Sequence, residues 1–299
     1  MRFFKPDWSL TKKEVRVSMN VFFQPEMTEK ELVLFREFIE KEFGIRMPDS
    51  KKMLLQSRLS KRLRELNLKS FNEYFKYLTS DKGKENEFNT FVDLVSTHVT
   101  KFFREPNHFE YIFENILPDF VKAGKSQIRI WSSASSTGEE AYSIAIIMEE
   151  FISQHPKITM DYEIVGTDIS MPVIDKAKAG VYNEDSVLEL SRYLKYKYFM
   201  KSKDRDQKLI KVVPEIRKKV NFRYMNLMDD TYSIGTKFNI VFCRNVLIYF
   251  DKKTQEKIIK NIINNLKDDG YLILGHSETI IGMDVGVKNV IPTIYKKSF

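Results

Sequence analysis

Cysteine is almost missing from this 299-residue chain, where Cys243 stands alone. A single thiol excludes an internal disulfide and any cysteine-built metal centre, and no metal site is expected. Long apolar runs are missing too, and none approaches the length that spans a bilayer. The opening Met1-Arg2-Phe3-Phe4-Lys5-Pro6-Asp7 has no apolar core of the kind a signal peptide carries, so the cytoplasm is the expected compartment. No His–Asp or Cys–His constellation suggests an activated nucleophile.

What is present suits a folded, water-exposed protein. Hydrophobic residues make up 42% and charged residues 30%, enough for one large domain or two smaller ones. The formal charge of +8 is uneven. Residues 46–69 hold Arg46, Lys51, Lys52, Arg58, Lys61, Arg62, Arg64 and Lys69 against only Asp49 and Glu65. Such a patch is either a solvated helix face or a surface for an acidic partner.

Two halves differ in periodicity. Over residues 27–96 the apolar positions recur at helical spacing, which predicts a small all-α domain. Thr28 and Glu31 form a capping box ahead of Leu32, Phe35, Ile39 and Phe43, and Gly44 follows as a stop. A second helix is expected from Pro48 to Leu66, with Met53, Leu54, Leu59, Leu63 and Leu66 inward and the basic side chains outward. Residues 70–79 and 85–96 read as further helices. Residues 1–26 show no period and are expected to form a loose arm, and residues 97–126 a linker with a connecting helix.

From residue 127 to 299 strands alternate with helices. Strands are expected over 128–131, 163–167, 238–243 and 270–275, and helices over 139–151, 172–179 and 252–266. That alternation predicts an α/β parallel sheet with helices on both faces. Ligands of such sheets bind at the carboxyl ends of the strands, so the following loops are where chemistry is to be sought. Residues 181–221 break the pattern, and Lys208-Leu209-Ile210-Lys211-Val212-Val213 suggests a small inserted β-subdomain.

Several segments carry candidate chemistry. Trp131 runs into Ser132-Ser133-Ala134-Ser135-Ser136-Thr137-Gly138 and then Glu139-Glu140, a strand, a turn of small residues and a helix start. Small side chains admit a ligand close to the backbone. Acidic residues in the first helical turn would repel phosphate, so a dinucleotide site is disfavoured and a cationic ligand such as S-adenosylmethionine is favoured. The alternative is simple stabilisation of the helix dipole. Asp168, at the end of the second strand, suits ribose hydroxyls, or else caps the next helix. In Asn221-Phe222-Arg223-Tyr224-Met225-Asn226-Leu227, Asn226 and Leu227 could flank an adenine. After the strand 238–243, Arg244-Asn245-Val246-Leu247 stands where base-modifying methyltransferases carry Asn/Asp-Pro-Pro-aromatic, which argues against a flipped-base acceptor. Ser96-Thr97-His98-Val99-Thr100-Lys101-Phe102-Phe103-Arg104-Glu105 precedes the sheet. Phe102 and Phe103 read as interdomain core, while Arg104 can clamp a carboxylate through paired hydrogen bonds.

These segments, with the Cys243-Arg244-Asn245-Val246-Leu247-Ile248-Tyr249-Phe250 run and the closing Gly275-His276-Ser277-Glu278, together resemble the CheR family of chemotaxis receptor methyltransferases. The resemblance covers about residues 28–296, with the motifs in family order. It implies a Rossmann-like S-adenosylmethionine-dependent methyltransferase sheet, an N-terminal all-α domain and a small inserted β-subdomain. It implies that His98, Thr100, Arg104, Glu140, Asp168, Asn226, Leu227, Arg244 and Asn245 line the cofactor site, with Arg104 and Tyr249 close to the transferred methyl group. It also implies that the basic second helix meets the acidic, methyl-accepting cytoplasmic helices of the receptors, without nucleic acid or membrane insertion. His98 stands where many members have asparagine, and Ala141 where many have proline. Residues 201–208 lack the glycines with which relatives grip a receptor C-terminal peptide. The competing readings are an RNA methyltransferase, motivated by the basic patch, and a non-enzymatic adaptor that binds S-adenosylmethionine.

Overall fold

The computed structural model describes residues 25–298, so the expected N-terminal arm lies outside the described residues except for its last two positions. The helical unit opens with α1, Glu29–Phe43, whose capping box forms as expected: Thr28 Oγ1 accepts from the Glu31 N–H and the Glu31 carboxylate from the Thr28 N–H. Gly44 ends α1 at φ +68°, and its N–H returns to the Glu40 carbonyl. A short 3-10 turn, Asp49–Lys51, leads into α2, Lys52–Glu65. Then come α3, Phe71–Thr79, α4, Asp81–Asn86, and α5, Phe88–Val95. Phe35, Phe43, Tyr74 and Phe91 are buried at their centre.

The inner face of α2 departs from expectation. Leu55, Leu59 and Leu63 are buried, whereas Met53 and Leu54 are 69% and 42% exposed. The stripe runs at four-residue spacing from Leu55, and the flanks of that stripe are held by two arginines rather than by Met53 and Leu54. Arg58 donates to the Leu94 and Ser96 carbonyls at 2.7 and 2.9 Å. Arg62 pairs with the buried Glu87 at 2.6 Å. The basic patch is therefore divided: Arg58 and Arg62 staple the unit, while Lys61 and Arg64 face solvent. Glu87 also breaks the single helix expected over 85–96 into the end of α4 and the start of α5.

A helical run follows: α6, Asn107–Tyr111, a wider π-type turn, Ile112–Ile116, and α7, Leu117–Lys122. The sheet unit then alternates: β1, Gln127–Ser132, α8, Glu139–Gln154, β2, Asp161–Asp168, and α9, Met171–Ala179. The insertion holds β3, Val181–Asn183, α10, Arg192–Tyr198, β4, Phe199–Lys201, and β5, Leu209–Val212. A short α11, Pro214–Arg217, leads back to β6, Val220–Tyr224, and then come β7, Phe238–Cys243, α12, Lys252–Asn264, β8, Leu266–Leu274, β9, Val287–Ile291, and β10, Ile294–Lys297. Val220 and Asn221, grouped with the insertion by pattern, belong to the main sheet.

The main sheet has the order β6-β2-β1-β7-β8-β10-β9. Five strands are parallel, as the alternation predicts, and β10 and β9 add an antiparallel edge. All six residues of β7 are buried, as suits a strand covered on both faces. Packed apolar clusters lie on the two sides of the sheet, one around Ile130, Ile164 and Phe242, the other around Trp131, Val165 and Val241. The insertion forms an antiparallel sheet β3-β5-β4, against which Phe102 packs edge-on through Tyr182 and Phe199, each centroid 5.1 Å away. Phe102 is thus core, as read from the sequence, but its partners lie in the insertion rather than in the helical unit. No helix among the described residues is long and apolar enough to cross a membrane.

Candidate active site

The parallel strands end in register. Ser132 lies beside Gly166 and Phe242, and Asp168 beside Tyr224. Over these ends opens a cleft of about 1060 Å³, part of it open solvent. Its far wall is the helical unit, which contributes Phe43, Ile45, Lys51 and Val95. All ten residues singled out from the sequence, from His98 to Tyr249, line this one cleft.

The floor begins with the small-residue turn after β1. Gly138 sits at φ +95°, and a Cβ there would come within 2.9 Å of the Ala177 Cβ and 3.0 Å of the Phe222 ring. Only glycine meets both demands. The Ser135 N–H donates to the Thr167 carbonyl at 2.8 Å, tying the turn to β2. Ser136 donates its N–H to Asp168 Oδ2 at 2.8 Å, and Ser170 its N–H to Oδ1 at 3.0 Å. Burial pushes the Asp168 carboxyl above its ordinary range, and those two backbone donors oppose the rise. Each oxygen keeps acceptor capacity toward the cleft.

Glu139 and Glu140 part company at the start of α8. Glu139 turns inward, where Thr137 Oγ1 donates to it at 2.6 Å. Glu140 lines the cleft and accepts from Ser132 Oγ at 2.7 Å and from Arg244 Nη1 at 3.1 Å. Burial raises the Glu140 carboxyl, and the Arg244 charge acts against it. Arg244 is almost wholly enclosed. It bridges Glu140 to Glu105, at 3.1 Å each, donates to the Arg104 carbonyl and lies over the Phe109 ring. Arg244 thus joins the loop after β7 to the segment before the sheet.

The remaining predicted residues divide by what their side chains already hold. Asn226 donates Nδ2 to the Glu42 carbonyl at 3.1 Å and accepts the Met228 N–H at 2.9 Å, so its amide joins the two units. An adenine contact through that amide would compete with these bonds, whereas Leu227, buried beside it, offers an apolar surface. The His98 imidazole pairs with Asp93 at 3.1 Å, and its carbonyl accepts from Ser136 Oγ. Thr100 is half-buried in the wall. Arg104 donates Nη1 to the Val99 carbonyl at 2.8 Å, and no carboxylate pairs with it among the described residues. The Tyr249 hydroxyl has no protein partner among the described residues, and Lys51 Nζ stands 5.2 Å from its ring centroid. Arg104, Lys51 and Tyr249 thus bring two cations and a phenol to the lining of the cleft.

Two acids stand within the quoted motifs but receive no site role from the sequence, Glu105 and Glu278. Burial alone would raise the Glu105 carboxyl, but a hydrogen bond from Asn245 and the Arg244 charge outweigh it and hold the group below its ordinary range. Glu105 also gathers His108 and His276 into a trio close enough to hold a cation. The carboxylate there already accepts from Arg244 and from the His276 N–H, and a metal ion would face the Arg244 guanidinium. Burial and that same positive charge push His108 down to about 4. The trio is therefore read as part of the Arg244 support. Neither acid has a local sequence signal, because Glu105 reaches Asn245 across 140 residues and Glu278 reaches it across 33.

Comparison with known proteins matches residues 30–96 to the family model "CheR methyltransferase, all-alpha domain" and residues 98–295 to "CheR methyltransferase, SAM binding domain". The chain is 38% identical to a chemotaxis protein methyltransferase of Borreliella burgdorferi, over 91% of this chain and 95% of that one. It is 37% identical to chemotaxis protein methyltransferase 2 of Pseudomonas aeruginosa, over 90% and 93%. With the chemotaxis protein methyltransferase of Salmonella typhimurium the identity is 36%, over 81% of each chain.

Proposed function

This chain belongs to the CheR methyltransferase family, and from that membership we propose that it methylates glutamate side chains of chemotaxis receptors in the cytoplasm, using S-adenosylmethionine. The chain is an enzyme of the S-adenosylmethionine-dependent class; the receptor, the glutamate acceptor and the residue roles below are our reading. So is the division into a helical domain, 27–96, a connecting segment, 97–126, and a methyltransferase domain, 127–299, with the insertion at 181–221 less the two residues that enter β6. The observation that carries this reading is the single cleft whose lining combines the acidic groups at the strand ends with Arg104 and Tyr249.

The residues present fit such a donor. Asp168 keeps acceptor capacity for hydroxyl groups, Glu140 supplies a carboxylate for an ammonium, and Leu227 supplies an apolar face for a base. His98 and Thr100 wall the same space, Asn226 fixes the backbone beside Leu227, and Arg244 and Asn245 shape the floor. When bound, S-adenosylmethionine supplies an electrophilic methyl on a sulfonium.

What the protein adds is placement. A glutamate acceptor is already ionised at neutral pH, its ordinary pKa being about 4.3, so no general base is required. Arg104 and the Tyr249 hydroxyl are the donors that receive the acceptor carboxylate in place of water. Holding one oxygen in line with the methyl converts a chance encounter into an aligned one, the largest contribution open to a site without acid–base machinery. Outside the cleft, Lys61, Arg64 and the exposed Met53 of α2 offer a basic and apolar face to an acidic amphipathic helix.

The test is incubation with methyl-labelled S-adenosylmethionine and receptor-bearing membranes. Label on the receptor that is released by mild alkali marks a carboxyl methyl ester and is the expected result. Alkali-stable label, or label on RNA, would overturn the acceptor assignment.

A further inference from the structure

The loop after β7 is gripped from behind by an acid that the proposed mechanism does not use. Glu278 is buried, with 6% of its surface exposed, and no cation pairs with it among the described residues. Its partners are four backbone donors. Oε2 accepts from the N–H groups of Asn245 at 2.8 Å and Gly275 at 2.7 Å. Oε1 accepts from those of Val246 at 2.8 Å and Leu247 at 2.7 Å. Three consecutive amides at a strand end, which would otherwise lack partners, thus converge on one side chain.

The local backbone requires this grip. Asn245 sits in the left-handed region at φ +58°, a conformation that costs energy for any residue with a Cβ. Its Nδ2 is meanwhile held by Glu105 Oε1 at 3.1 Å. Gly275 makes room for the arrangement, since a Cβ there would stand 2.7 Å from Asn245 Nδ2 and 2.9 Å from Glu278 Oε2. The gripped residues lead directly into the 3-10 turn Leu247–Tyr249. The cleft face of this loop, Asn245, Val246 and Tyr249, is therefore set by an acid on its opposite side.

We propose that Glu278 is a positioning residue for methyl transfer: its carboxylate fixes the backbone of residues 245–247 and so places Asn245 and Tyr249 in the cleft, touching neither donor nor acceptor itself. The inference rests on the reading of the cleft as the S-adenosylmethionine site. Two substitutions separate it from a purely structural role. Glu278→Gln turns an NH₂ group toward backbone donors and disrupts one side of the grip, while Glu278→Asp keeps the charge but withdraws it by one methylene.

The measurement is calorimetric titration of the full chain with S-adenosylhomocysteine, read for Kd and sites per chain, beside methyl transfer at saturating substrates and thermal unfolding. For Glu278→Gln we expect one site per folded chain, a Kd raised roughly tenfold and a kcat lowered by a similar factor, as for lost bonds to a charged group. Glu278→Asp should fall between that variant and wild type. A lower Tm with fewer sites per chain, but wild-type Kd and kcat for each remaining site, would overturn the proposal. Should Glu278→Gln fail to fold, Glu278→Asp decides alone, a shifted Kd supporting the proposal and an unchanged one overturning it. Absence of binding by the wild-type chain would instead overturn the reading of the cleft, and this inference with it.

Discussion

Each half of the molecule buries an acid, and the two are treated in opposite ways. In the helical unit Glu87 is enclosed and saturated: Arg62 contacts both of its oxygens and the Tyr74 hydroxyl donates at 2.8 Å. Nothing remains for a ligand, and the group holds α2, α3 and the α4–α5 junction together. In the sheet unit Asp168 is buried as well, but backbone N–H groups such as those of Ser136 and Ser170 hold it rather than a paired arginine, and it borders the cleft. Burial raises its pKa, the mark of a carboxylate not fully compensated by its surroundings. A saturated buried acid serves the fold, whereas one left partly open at a strand end is available for binding.

Substituting the two acids should therefore give opposite phenotypes. Glu87→Ala strands Arg62 and should lower stability by about 3 kcal/mol, as for other broken buried pairs, with cofactor affinity preserved in the folded fraction. Asp168→Asn should weaken S-adenosylhomocysteine binding roughly 100-fold, at about 1.4 kcal/mol per tenfold, while leaving the ligand-free protein slightly more resistant to unfolding than wild type at neutral pH. Denaturant melts and calorimetry read both quantities, and a matching pattern in the two variants would break the contrast.

Arg104→Ala carries the contrast from binding to turnover. Its guanidinium makes one hydrogen bond to a main-chain carbonyl near the surface, so stability should hardly change. Transfer to receptor should fall about 100-fold, the usual scale for removing a donor aimed at a reacting group. Wild-type turnover would remove the role assigned to it. Tyr249→Phe keeps the ring under Lys51 and removes only the hydroxyl. A loss of about tenfold in kcat, with cofactor Kd unchanged, is expected for one neutral donor.

The smallest effect concerns pH. Because Asp168 titrates above its ordinary value of 3.8 when folded, its ionisation opposes folding at neutral pH. That penalty fades as pH falls through the raised value toward the ordinary one. The difference in cofactor-free Tm between wild type and Asp168→Asn should therefore narrow as pH falls from neutrality toward that ordinary value. A difference that stays constant would mean that burial of the charge is not its source.

What could be read in advance follows from how local each signal is. The limits of β7 were legible to the residue because Phe238-Asn239-Ile240-Val241-Phe242-Cys243 is a short, almost wholly apolar run between polar breaks. The capping box at Thr28 and the stop at Gly44 need only neighbours in sequence. The inner face of α2 was misread at Met53 and Leu54 because long arginine stems can flank an apolar stripe, a choice made by Leu94, Ser96 and Glu87 from distant helices. The antiparallel edge β9–β10 escapes the pattern because Val287–Ile291 is mostly exposed and interrupts its apolar residues with Lys288 and Asn289, leaving no alternation to read. Candidate cleft residues were recognisable as a set through family resemblance, but the engagement of Asn226 by Glu42 is tertiary and left no trace in the sequence.

That engagement has company. Beside the Asn226–Glu42 bond, the Arg46 N–H donates to the Tyr249 carbonyl at 2.8 Å, and a Cβ on Gly44 would stand 2.4 Å from Met228 Sδ and 2.8 Å from the Phe250 ring. The short stretch between α1 and α2 is thus clasped to two of the loops that border the cleft, with no spare room for a bulkier hinge. Any load carried by the stretch between α1 and α2 therefore bears on the main chain at Tyr249, which ties the placement of the helical unit to the shape of the cleft.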